Sequence, residues 1–316
     1  MDRWELLRRV TAFPLGAGAL SEELLSGSFR SVFKGQGIEF DEARHYEAGD
    51  DARFIDWNVS ARLGEPYVKL YREEREFSVF IILDTSSSMF TSLWPSGAEE
   101  TSAYDQGVLA AALVAFSAEK EGQRVGALFF DRDISQVFPP RKGRRHIMGI
   151  LSAAVERGGP SAGGAEARAR GSNLGAALRG AARILKRRGL VVVITDFFTS
   201  AWEREFEDLA VRHDLIAIGI GSSLDRDFPD LGLVPLEDPE TGVHFYGASA
   251  VPAFRKAWTR WREERRDFVE SLCRRWGAAC LFLTAGEDSL TALSRFFSGR
   301  RPVHRVRRRP SPRGRQ

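Results

Sequence analysis

An α/β fold with a mostly parallel sheet and helices on both faces is the class this 316-residue sequence predicts, on three observations. Between residues 77 and 300, short apolar runs alternate with stretches of helical periodicity, the order expected of βαβ units. The runs are apolar along their length, as strands covered on both faces require. Two of them end in small polar residues, Phe77 to Leu83 running into Asp84-Thr85-Ser86 and Leu190 to Thr195 into Asp196.

After the first strand comes a loop, Phe90 to Ser102, broken by Pro95 and Gly97. A helix from about Ala103 to Lys120 follows, with Val108, Leu109, Ala112, Leu113 and Phe116 on one face. Val125 to Phe130 is the next strand, and Ile134 to Phe138 a short edge strand stopped by Pro139-Pro140. His146 to Val155 is helical, as is Leu174 to Leu185 after a Gly- and Ala-rich loop. Leu190 to Thr195 is a β-branched strand, Phe206 to Val211 a helix and Leu215 to Ile220 a strand. A hairpin-like insert turns at Asp238-Pro239-Glu240-Thr241-Gly242. A long charged helix from about Ala250 to Trp276, a strand at 279–284 and a helix at 288–297 close the domain. The expected organisation is a small, mostly β segment over residues 1–76, the α/β domain over 77–299 and a disordered Arg-rich tail over 300–316.

Composition limits the function classes. The 28% charged and 43% hydrophobic residues suit a globular core, and no apolar run reaches the roughly 20 residues of a membrane span. Met1-Asp2-Arg3-Trp4-Glu5 lacks the basic-then-apolar order of a signal peptide, so a cytoplasmic location is expected. Cys273 and Cys280 are the only cysteines, too few for a zinc cluster or a disulfide framework. The net charge of +3 conceals an asymmetry: the tail holds eight Arg and no acid, and without them the chain carries −5. Such a tail could bind nucleic acid or an acidic surface, although a solubilising disordered end is favoured.

The chemistry points to Asp84, Ser86 and Ser88. One carboxylate and two hydroxyls at the carboxyl end of a buried strand form a hard-oxygen site suited to Mg²⁺ or Mn²⁺. Alone, Asp-x-Ser-x-Ser is as compatible with a turn cap. Gly171-Ser172-Asn173-Leu174 adds a hydroxyl where a helix opens, and Ile194-Thr195-Asp196 ends a second strand in the same register as Leu83-Asp84. Asp50, Asp51 and Asp56 could be read as a catalytic carboxylate group. A structural network with Arg44, Arg53 and Arg62, with Trp57 packed nearby, is favoured. The five histidines form no metal pair, no GxSxG elbow is present, and Gly35-Gln36-Gly37 lacks a phosphate-loop lysine. Arg255 to Arg266 reads as a solvated helix face of mixed charge.

Asp84, Ser86, Ser88, Ser172 and Asp196 together resemble the metal-ion-dependent adhesion site of von Willebrand factor A-type domains, with Ser172 where that family usually has Thr. The upstream stretch from Arg44 to Arg62, His45-Tyr46-Glu47-Ala48-Gly49-Asp50 and Phe54-Ile55-Asp56-Trp57 included, resembles the signature of the domain of unknown function 58 family. The resemblance covers roughly residues 27 to 298. It implies a von Willebrand factor A-like, Rossmann-like sheet, and a non-enzymatic, Mg²⁺-dependent module that binds a partner's Asp or Glu carboxylate. It also implies a MoxR-type AAA+ ATPase partner in complex assembly or maturation. Two rival expectations are a metal-dependent hydrolase using Asp196 or the Asp50/Asp51/Asp56 group, and a nucleic-acid or acidic-surface binder acting through the tail.

Overall fold

Burial on both faces turns the apolar runs into one sheet. The computed structural model describes residues 39–47, 50, 55–72, 77–90, 102–157, 171–225, 228–237 and 243–298. Strand β1 (Glu39–His45), helix α1 (Trp57–Leu63) and strand β2 (Tyr67–Arg72) come first. They are followed by β3 (Ser78–Asp84), the single turn α2 (Ser87–Phe90), α3 (Ala103–Lys120), β4 (Arg124–Phe130), β5 (Ile134–Arg141), α4 (Arg144–Arg157) and α5 (Leu174–Ile184). Then come β6 (Leu190–Thr195), α6 (Glu203–Arg212), β7 (Asp214–Gly221), β8 (Leu233–Glu237), β9 (His244–Ala248), α7 (Pro252–Trp276), β10 (Ala279–Thr284) and α8 (Ser289–Ser298).

The central sheet has the order β10-β7-β6-β3-β4-β5. All its pairings are parallel except that of β5, which runs antiparallel along the edge of β4. Successive side chains of a strand point to opposite faces, and two cores result. Val79, Ile81 and Leu83 join α3, α4 and α8 on one face, while Phe80 and Ile82 join α5, α6 and α7 on the other. A mixed α/β architecture with a mainly parallel sheet between helices is therefore what forms. β3 lies at its centre, buried along nearly its whole length.

Several elements differ from their sequence expectation for identifiable reasons. β5 does not stop at Pro139-Pro140 but runs through to Arg141. An edge strand pairs on one side only and so tolerates missing N–H groups, and an extra residue is absorbed where Ala127 pairs with Phe138 and Val125 with Arg141. Gly126 makes this possible, since a Cβ there would lie 2.8 Å from the Phe138 carbonyl and 2.9 Å from the Pro140 nitrogen. α6 begins at Glu203, three residues before its apolar periodicity, because Glu203 accepts the Trp202 N–H at 2.9 Å and acids favour a helix N-terminus.

The segment before residue 77 contains a helix as well as strands. Asp56 caps α1 by accepting the N–H groups of Asn58 and Val59, and β1 pairs antiparallel with β2. Arg44 does pair with Asp50, at 2.6 Å, but Trp57 is 71% exposed and joins neither core cluster of the described residues. Its place on the first turn of a seven-residue helix in which no residue is buried explains the difference. Asp51, Arg53, the Phe90–Ser102 loop interior, the turn at 238–242 and the tail at 300–316 lie outside the described residues. Among the described residues, no helix is long and apolar enough to cross a membrane.

Gly126→Ala should destabilise the protein by about 1–3 kcal/mol, because backbone atoms on the edge strand cannot move aside. Gly149→Ala should do the reverse. Gly149 sits in α4 with open space around it, and alanine there should add up to about 1 kcal/mol of helix propensity. Urea unfolding midpoints of the two variants, moving in opposite directions, check the pair.

Candidate functional site

Chain direction creates a crevice at the carboxyl ends of β3 and β6. The chain leaves β3 for α3 on one face and leaves β6 for α6 on the other, so the two loops diverge between adjacent strands. Ligands of open α/β sheets bind at such switch points. Asp84 is the last residue of β3 and is completely buried. Its neighbour across the ladder follows from the pairing of Leu83 with Ile194. Asp84 is level with Thr195, and Asp196 lies one residue beyond. The sequence expectation of a common register for the two aspartates is thus off by one.

Four segments meet on the Asp84 carboxylate. Its Oδ1 accepts the Ser86 N–H at 2.8 Å, the local turn that an aspartate at a strand end favours. Its Oδ2 accepts the Ser172 hydroxyl at 3.1 Å and the Thr195 hydroxyl at 2.6 Å. Ser86 and Ser88 bring their hydroxyl oxygens within 3.1 Å of each other. Ser88, Ser172 and Asp196 are half-buried and rise around the fully buried Asp84 and Ser86. Asp196 turns its Oδ1 to the Phe198 N–H at 3.0 Å.

The loop carrying Ser172 is held from two sides. Asn173 donates its N–H to the Asp131 carbonyl at 2.9 Å and caps α5 through Ala176. Thr199 donates its hydroxyl to the Ser172 carbonyl at 2.7 Å. Thr195 and Thr199 therefore belong to the site, although sequence reading passes over them. The signal for Thr195 was its place at the strand end, level with Asp84. Thr199 carried no signal, because its role depends on where the 171–173 loop lies.

Among the described residues, no cationic side chain pairs with the Asp84 carboxylate. Burial, and then the neighbouring negative charge of Asp196, push the Asp84 carboxyl up to about 7, against the pull of its hydrogen bonds from Ser86 and Thr195. The hydrogen bonds described at Asp84 all come from neutral groups. A divalent cation would supply the missing charge, and the donor set fits a small hard one: three serine hydroxyls and up to two carboxylates. No group of three or more His, Cys, Asp or Glu side chains gathers among the described residues. Any cation here would thus be held mainly by hydroxyl oxygens. Asp50 and Asp56 do not join this crevice chemistry: Asp50 accepts from Arg44 and from the Glu47 N–H, and Asp56 caps α1.

The Arg255–Arg266 face also departs from expectation. Arg260 and Arg266 make exposed pairs with Glu264 and Glu270. Arg262 instead lies 3.3 Å from Asp225, with its guanidinium 4.0 Å from the Phe198 ring centre and about 5 Å from those of Trp258 and Trp261. Arg265 donates to the carbonyls of Phe197 and Thr199. Helical periodicity marks α7 but cannot show that another loop approaches two of its arginines.

A model of the family described as "Protein of unknown function DUF58" matches residues 42–267. Uncharacterized proteins of Mycobacterium tuberculosis and Mycobacterium bovis are 33% identical over 279 residues, which cover 88% of this chain and 84% of theirs. Among solved structures, the chain is similar to the conserved hypothetical protein BatB from Bacteroides thetaiotaomicron, with 15% identity and a TM-score of 0.41 over 70% of this chain and 97% of that one. It is also similar to an aerotolerance-related membrane protein from Bacteroides fragilis, with 14% identity and a TM-score of 0.43 over 70% and 96%.

A raised carboxyl has a definite consequence for stability in the metal-free protein. Between the ordinary aspartate value of 3.8 and about 7, the folded state keeps a proton that the unfolded state has lost. Stability should therefore fall as pH rises through that window. Asp84→Asn removes the titration, so the metal-free variant should melt above wild type at pH 8 and lose that advantage near pH 4. Thermal melts at both pH values in chelator check this. Equal melting at pH 8 would show that the carboxylate is not destabilised.

Proposed function

The chain belongs to the DUF58 family, whose description assigns no activity, and on that premise we propose that it is a non-enzymatic, metal-dependent protein-binding module. The fold is read here as von Willebrand factor A-like, and the crevice as a metal-ion-dependent adhesion site. The observation that carries this proposal is the meeting of Ser86, Ser88 and Ser172 around one buried carboxylate, Asp84, at the switch point of the sheet.

Ser86, Ser88, Ser172, Asp84 and Asp196 would hold Mg²⁺ or Mn²⁺. Bound mostly by neutral hydroxyls, such an ion keeps net positive charge and attracts a further carboxylate. The chain's own residues prepare this. Ser172 donates its proton to Asp84, which leaves the lone pairs of its oxygen for the crevice. Thr195 donates to the same Oδ2 and accepts the Phe197 N–H at 3.2 Å, so it braces the carboxylate. The half-buried rim of Ser88, Ser172 and Asp196 gives a partner's Asp or Glu side chain access. The partner proposed is a MoxR-type AAA+ ATPase in the cytoplasm, served in complex assembly or maturation. That identity rests on the family resemblance of the Arg44–Arg62 stretch.

Titration calorimetry should show saturable Mg²⁺ or Mn²⁺ binding by the wild type, and none by an Asp84→Ala, Ser86→Ala double variant. A MoxR-type ATPase should be retained on the immobilised wild type in Mg²⁺ and released by chelator. Equal retention in Mg²⁺ and chelator, by wild type and double variant alike, would sink the proposal.

A further inference from the structure

We propose that Arg265 is the positioning residue of this site, the group through which helix α7 holds the Asp196 and Ser172 loops against Asp84. The inference deepens the metal-site proposal and rests on it for its functional meaning. Its structural basis is independent. Arg265 is half-buried between the exposed Glu264 and Arg266, and its guanidinium donates from Nε to the Phe197 carbonyl and from Nη2 to the Thr199 carbonyl. Both acceptors lie in the loop that leaves β6, immediately after Asp196.

That loop adopts a backbone that does not hold itself. Phe197 and Ala201 both have φ of +60°, the left-handed region that non-glycine residues rarely occupy. Such conformations persist where surrounding contacts over-determine them, and they cluster at functional sites. Here the contacts are the two bonds from Arg265, the Trp202 Nε1–H on the Thr199 carbonyl at 3.2 Å, and the Phe197 ring, fully buried 5.3 Å from the Trp202 ring.

The bonds continue to the carboxylate by two routes. In one, the Phe197 N–H reaches Thr195 Oγ1 and Thr195 donates to Asp84 Oδ2. In the other, Thr199 donates to the Ser172 carbonyl and Ser172 donates to the same oxygen. One guanidinium thus braces both hydroxyls that sit on Asp84 Oδ2. The planar fork of arginine suits two carbonyls two residues apart, whereas a lysine ammonium supplies a single point of attachment. Groups that orient metal ligands without touching the metal commonly account for ten- to hundredfold of the affinity.

The test compares Arg265→Gln, Arg265→Lys and two controls, Arg260→Gln on the exposed face of α7 and Val269→Ala, a buried position one turn further along the same helix. Mn²⁺ affinity by calorimetry should fall about tenfold or more in Arg265→Gln, recover in part in Arg265→Lys, and stay at the wild-type value in both controls. Val269→Ala should lower the melting temperature without that loss, which separates positioning from general destabilisation. Hydrogen exchange of the metal-free proteins reads the bracket without any ligand. The amides of Phe197 and Phe198, which donate to Thr195 and Asp196, should exchange faster in Arg265→Gln alone. Wild-type exchange at those amides in Arg265→Gln would overturn the inference, as would wild-type Mn²⁺ affinity. If the wild type binds no Mn²⁺ while the exchange difference is present, the bracket stands and the metal reading of the site fails.

Discussion

A carboxylate buried at the carboxyl end of the central strand is the constraint on which the rest of this structure depends. Asp84 is surrounded by protein on all sides, and ionised carboxylates in such places demand compensation. Partial compensation comes from neutral donors on three other segments: the turn after β3, the 171–173 loop and the end of β6. Each donor fixes its segment relative to β3, so the geometry of the crevice is in large part the geometry of satisfying one side chain. What the donors leave uncompensated is visible in the raised carboxyl, which burial and the charge of Asp196 push up.

A second layer of interactions stands behind the first and comes from α7. Arg262 is enclosed by Phe198, Trp258 and Trp261 and lies against Asp225. Burial opposes the charged form of both members: it pushes the Asp225 carboxyl up and pulls the Arg262 guanidinium down. The Arg262 Nε and Asp225 Oδ1 atoms approach as an ion pair without a well-aligned hydrogen bond. The aromatic faces supply part of the difference by cation–π attraction. Gly221 leaves room for this carboxylate, since a Cβ there would lie 2.7 Å from Asp225 Oδ2. Trp258 donates to the Leu224 carbonyl, meets the Phe228 ring edge-on and lies tilted beside that of Phe254. The stretch after β7 is thereby fastened to the same helix that steadies the site loop.

The sequence made much of this legible, and the gaps have physical causes. The strands of the sheet were readable because their apolar runs are too short for buried helices and are bounded by turn residues. Asp84, Ser86 and Ser88 were readable because the turn they form is local, and the Ser86 N–H on Asp84 spans only two residues. Ser172 could be selected as a hydroxyl at a helix start. Its bond to Asp84 crosses 88 residues, a distance that no local pattern encodes. Thr195 was overlooked because its neighbour Asp196 has the more conspicuous side chain, although the ladder places Thr195 level with Asp84. Arg262 and Arg265 depart from the sequence expectation because mixed charge on a helix normally signals solvent.

By itself the sequence determined the class of fold, the burial of the strand that ends in Asp84 and the oxygen-rich chemistry at its end. These follow from periodicity and from turns within a few residues, where the chain constrains itself. Only the tertiary structure decided that Thr195 and Ser172 share one oxygen of Asp84, that Thr199 ties the Ser172 loop, and that Arg265 holds the strained turn after Asp196. Those contacts exist because the order of strands, and the faces on which their helices pack, bring segments together that the linear chain keeps far apart. Burial then fixes them, since a buried polar group left without a partner costs more than the ordering needed to satisfy it.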